Sequence, residues 1–148
     1  MAASEVKLVP PGRTYFGAQG FTYGAGVSSD TVGSGQICMN VLPMPAGTRA
    51  KAHHHDGIET IAYLLEGTCA LYWGDRFEHR IEAKAGDHVF VPASVPHAPS
   101  NEGDAPCTWL VAHAAPHAQV NIVMLPELDR VLDARLGAPE PAKDAVSA

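Results

Sequence analysis

The chain has 148 residues, 46% of them hydrophobic, with 10 basic against 16 acidic side chains and a formal charge of -6. That length suits one domain, which buries about 70% of its unfolded surface and needs no disulfide staple. The acidic balance speaks against a nucleic-acid surface, which needs a basic stripe, and no apolar run reaches the roughly 18 residues of a membrane span.

In chain order, Met1–Arg13 has no apolar h-region, so no signal peptide is read there. Gly17–Gly35 is rich in glycine and reads either as a long loop or as a strand pair broken by turns. Short apolar or alternating runs then follow at Ile37–Met44, Arg49–His55, Glu59–Leu65, Cys69–Trp73, Phe77–Ala83, His88–Val91, Thr108–Ala112 and Val120–Leu125. Turn signals such as Pro45-Ala46-Gly47, Asp56-Gly57, Glu66-Gly67 and Ala85-Gly86-Asp87 separate them. Many short strands with frequent Gly and Pro turns predict an all-β sandwich or barrel. Leu128, Val131, Leu132 and Leu136 share one face of a short helix, with Pro126 ahead and Gly137 behind. Residues 1–137 therefore read as one domain, and 138–148, APEPAKDAVSA, as a flexible tail. Cys38, Cys69 and Cys107 are odd in number and widely spaced, which fits buried thiols in a reducing compartment and a cytoplasmic protein.

The histidine run His53-His54-His55 carries the chemistry. On a strand, His53 and His55 share one face and His54 takes the other. Two imidazoles so spaced on the inner face of a barrel can hold one metal ion; the bland alternative is an exposed strand. The turn at Asp56-Gly57 returns the chain, and Glu59 offers a carboxylate near the same end. Histidine with carboxylate and no thiolate suits Fe, Mn, Ni, Cu or Zn and disfavours a closed structural zinc site. His97, between Pro96 and Ala98-Pro99, is a further candidate ligand. Parity places Arg49 and Lys51 on the face of His53, and Ile61, Tyr63 and Leu65 on the face of Glu59. Lys51, Tyr63 and Ile61 are thus candidate pocket residues, and Lys51 suggests an anionic substrate. Of the remaining histidines, His79 reads as solvated, His88 begins a strand, and His113 is a lesser candidate for the pocket wall.

The stretch Gly47-x5-His53-x-His55-x3-Glu59-x7-Gly67 resembles the first cupin motif, and Gly86-x5-Pro92-x-Ser94-x2-His97-x3-Asn101 resembles the second. Two departures stand out. The interval from Glu59 to Gly67 is one residue longer than the commonest form, and Ser94 stands where the family usually has glycine. The resemblance implies a double-stranded β-helix, a jelly-roll barrel, with a metal held by His53, His55, Glu59 and His97 near one open end. It also implies a homodimer, often formed through edge strands near the amino terminus.

Cupins with this ligand set include dioxygenases, oxalate decarboxylases, sugar-phosphate isomerases and polyketide cyclases, and fold alone does not choose among them. The expected function is a metal-dependent enzyme on a small polar or anionic organic molecule, a dioxygenase first. A non-redox isomerase, lyase or cyclase using Zn, Mn or Ni is the alternative, and a non-catalytic metal-dependent binding module the third reading. Partners are a small-molecule substrate and a second copy of the chain, with no nucleic acid and no membrane.

Overall fold

The computed structural model describes residues 5–141. Its strands are β1 (Thr14–Phe16), β2 (Thr22–Val27), β3 (Cys38–Met44), β4 (His53–His55), β5 (Thr60–Glu66), β6 (Thr68–Trp73), β7 (His79–Lys84), β8 (His88–Val91), β9 (His97–Ser100), β10 (Cys107–His113) and β11 (Ile122–Met124). Two helices, α1 (Ser29–Val32) and α2 (Pro126–Leu136), complete the described chain. All pairings are antiparallel, in a six-stranded sheet ordered β1-β2-β3-β10-β5-β8 and a five-stranded sheet ordered β11-β4-β9-β6-β7. This is the double-stranded β-helix, with its short terminal helix.

The alternation in the sequence becomes burial. Along β3, Cys38, Asn40, Leu42 and Met44 turn inward while Met39 and Pro43 face out. Phe21, Tyr23, Leu42, Met44, Leu64, Leu71 and Trp109 meet between the sheets as the main core. β6 departs from alternation because both of its faces are covered. Cys69 and Leu71 join the main core, while Ala70 and Tyr72 join a second cluster with Ala52, Phe77, Ala98, Leu128 and Leu132. That second cluster is α2 packed on the outside of the five-stranded sheet. Gly67 closes the tight β5–β6 turn at φ +81°, where an added Cβ would lie 2.7 Å from the Pro106 carbonyl oxygen. Glycine answers both demands there.

The segment Gly17–Gly35 resolves into a turn, β2 and the single-turn α1, whose Ser28 cap accepts from the Asp30 amide. Of the expected tail, residues 142–148 lie outside the described residues. The part that is described is tied down: the Glu140 amide donates to the Gly47 carbonyl at 2.9 Å. All three cysteines are buried and free. Among the described residues no helix is long and apolar enough to cross a membrane.

Candidate metal centre

The centre is built where the two sheets face each other at one end of the barrel. β4 turns His53 and His55 inward and His54 to the other side, as a period of two requires. β9 pairs with β4 so that His53 stands opposite His97. One ring nitrogen from each of His53, His55 and His97 lies within 4.8 Å of the others. The three rings are 4%, 3% and 6% exposed, so water does not solvate them freely.

Backbone carbonyls set the tautomers. His53 Nδ1 is 2.7 Å from the Lys51 carbonyl oxygen, and His97 Nδ1 is 2.9 Å from that of Val95. A carbonyl can only accept, so each Nδ1 carries the proton and each Nε2 keeps a bare lone pair. Such pinning orients histidines that ligate metals. Burial is the main cause holding the rings neutral. It pushes His53 well below the usual imidazole value, His55 down to about 3 and His97 to about 4. The charges of neighbouring rings add to the effect. Three neutral imidazoles whose nitrogens converge, two of them with the Nε2 lone pair bare, form an arrangement that fits a borderline divalent cation.

The facing sheet supplies two further polar groups. Thr60 opens β5 and His113 closes β10, paired in register, with Thr60 Oγ1 2.7 Å from His113 Nδ1. The His113 ring centroid is 4.5 Å from that of His55. The cavity among these residues has a volume of about 60 Å³. At roughly 10–15 Å³ per water on this measure, it holds a ligand of a few heavy atoms. Its walls are largely apolar, including Leu42, Leu71, Val89 and Val111, with Gln19, Tyr23 and the indole of Trp109 as further lining groups that carry polar atoms.

The structure brings His53, His55 and His97 together but not Glu59. Glu59 is exposed on the outer side of the six-stranded sheet, beside Ile61 and Met39. The turn through Asp56, Gly57 and Ile58 delivers Thr60, not Glu59, to the inward phase of β5. Ile61, Tyr63 and Leu65 do share a face with Glu59, as parity requires, but that face points outward. Ile61 is 59% exposed, and Tyr63 packs against His88 with ring centroids 4.8 Å apart. Lys51 is likewise exposed and absent from the cavity wall. The expected long strand over Arg49–His55 is broken: Arg49 makes an isolated bridge, and residues 50–52 are not in a strand. The Lys51 amide turns to the Gln19 carbonyl and the Ala52 amide to Asp129 Oδ1, so alternation does not carry through to His53. Arg49 instead pairs with Asp133 on α2.

Thr60, Gln19 and Tyr23 were not legible as site residues. For Thr60 there is a signal, the extra residue between Glu59 and Gly67. Counted back from Gly67, the inward position falls on Thr60. His113 shares the inward parity of Trp109 and Val111 along β10. Ser94 adopts φ 65°, the left-handed conformation glycine favours, and repays it with bonds. Its hydroxyl accepts from the Gly57 amide at 3.0 Å and lies 3.2 Å from an Asp56 carboxylate oxygen, fastening the turn behind His55.

Residues 40–113 match the family described as Cupin domain. Among curated proteins, the uncharacterized protein MJ1618 of Methanocaldococcus jannaschii is 28% identical over 82 residues, 55% of this chain and 63% of that one. The chain thus spans less than two thirds of the length of that relative. Among solved structures, DMSP lyase DddQ from Ruegeria pomeroyi aligns with TM-score 0.52 and 28% identity, over 62% of this chain and 44% of that one. Bacillus subtilis oxalate decarboxylase, a protein with Mn(II) centres, aligns with TM-score 0.63 and 19% identity, over 84% of this chain and 34% of that one.

Proposed function

The chain belongs to the cupin family, and on that premise we propose that it is a metal-dependent enzyme acting on a small polar or anionic organic molecule. The observation that carries this reading is the convergence of three buried, neutral imidazoles, two of them pinned by backbone carbonyls, in a largely apolar cavity. His53, His55 and His97 would hold one divalent transition ion, of which Mn, Fe, Zn and Ni are candidates; Mn(II) in the oxalate decarboxylase is a precedent in the same fold. Bound there, the ion supplies a Lewis acid that polarises a ligand oxygen. The Lys51 and Val95 carbonyls keep two of the rings aimed, and the Leu and Val walls keep bulk water out, which strengthens every charge interaction within.

Between reaction classes, a non-redox lyase is the first reading, because the 28% identical structure is that of a lyase. The dioxygenase suggested by the sequence motifs is the second, favoured by a centre whose three protein ligands leave positions open on a six-coordinate ion. The outer face of the six-stranded sheet, with Ile37, Met39, Ile61 and Phe90 exposed, supports a homodimer.

The test is metal analysis of untagged protein purified without added metal, followed by turnover of small carboxylates with and without oxygen. The expected result is one equivalent of metal and turnover that does not consume oxygen. Oxygen uptake with bound iron selects the dioxygenase reading. Protein that takes up no transition metal refutes both.

A further inference from the structure

Across the cavity from the three histidines stands the Thr60–His113 pair, and its chemistry is the reverse of theirs. His113 is 7% and Thr60 4% exposed. Where His53 and His97 face carbonyls, His113 Nδ1 faces a hydroxyl at 2.7 Å. A hydroxyl has one proton to donate. Among the described residues the Thr60 hydroxyl has no other hydrogen-bond partner. Were Nδ1 the donor, the Thr60 proton would be buried with no acceptor, which costs about 1–3 kcal/mol. The favoured arrangement has Thr60 donating to Nδ1. The proton of the neutral ring then sits on Nε2, so His113 offers an N–H where His53 and His97 offer bare nitrogens. In keeping with this, no His113 nitrogen belongs to the group that converges within 4.8 Å.

The charge balance points the same way. Among the described residues no Asp, Glu, Lys or Arg lines the cavity. A divalent ion on three neutral imidazoles would leave its charge uncompensated among apolar walls, which is costly unless an anion joins it. We propose that the natural ligand is a small carboxylate or enolate bound to the metal, and that His113, set in its tautomer by Thr60, donates Nε2–H to the anionic oxygen. This rests on the metal-dependent reading above and extends it by naming the ligand class, a ligand-binding residue in His113 and a positioning residue in Thr60. The role expected of Glu59 as a fourth protein ligand falls to the substrate anion.

The test uses full-length protein loaded with Co(II), whose visible spectrum reports its ligands, with acetate as the probe. Wild type, His113→Phe, Thr60→Val and Thr60→Ser are compared for Co(II) affinity by calorimetry and for acetate affinity by spectral titration. All four are expected to bind one Co(II) within about threefold of each other. Acetate should bind about tenfold or more weaker to His113→Phe, the size of a lost hydrogen bond to a charged group. Thr60→Val should weaken acetate as well, and Thr60→Ser, which keeps the hydroxyl, should restore it. A tenfold loss of Co(II) affinity in His113→Phe would make His113 a fourth ligand and overturn the proposal, as would acetate binding that no variant changes. If wild type binds no Co(II), the metal-dependent reading itself fails. If it binds Co(II) but the variants do not differ, only the assignment of Thr60 and His113 fails.

Discussion

Acidifying the metal-free protein below about pH 6.5 should destabilise it. His97 and His113 are each held down to about 4, chiefly by burial, against an ordinary imidazole value of 6.5. A group depressed on folding contributes stability that is complete above its unfolded value and is lost as the pH falls through the folded one. The window therefore opens at about pH 6.5 and runs down to about pH 4. At pH 5 each such ring is about 1.5 pH units into it, and at 1.36 kcal/mol per unit costs roughly 2 kcal/mol. His55 lies lower still, at about 3, and burial holds His53 well below the ordinary value as well. A proton on one ring raises the cost of the next, since the rings stand 4.4–5.9 Å apart between centroids. Urea unfolding in the presence of a chelator, followed by circular dichroism, should show a loss of at least about 2 kcal/mol between pH 7 and pH 5. His97→Gln should lose less over the same interval, because its amide does not titrate. Stability that changes by less than about 0.5 kcal/mol between those pH values would refute the argument.

Other expectations concern the ligands, the helix and the outer face. His53→Ala, His55→Ala and His97→Ala should each strip the metal by elemental analysis, while His54→Ala and Glu59→Gln, which lie outside the cavity wall, should retain it. Metal loss in Glu59→Gln would show that β5 is out of phase with the structure described. Leu132 is fully buried where α2 packs on the sheet, so Leu132→Ala should cost about 2–5 kcal/mol in chemical denaturation. Phe90→Asp places a charge on the exposed apolar face and should shift light scattering from a dimer mass to a monomer mass without loss of metal. A wild type already monomeric at micromolar concentration would remove the dimer proposal.

By itself the amino-acid sequence determined a great deal here. The spacing of turns and short apolar runs specifies an all-β barrel, and Pro126 to Gly137 specifies the terminal helix. The period of two divides His53 and His55 from His54. These are local quantities, set by backbone geometry within a few residues. Parity also grouped Glu59 correctly with Ile61 and Tyr63, yet it says only which residues share a face, never which face is inside. That phase is decided by the turn before the strand, and the turn after His55 hands the inward place to Thr60. The break at residues 50–52, which sends Lys51 outward, depends on Gln19 and Asp129 capturing the intervening amides. Both partners come from distant parts of the chain. The Thr60–His113 bond spans 53 residues. It exists because β5 and β10 are neighbours in one sheet, and no pattern along the chain encodes that adjacency.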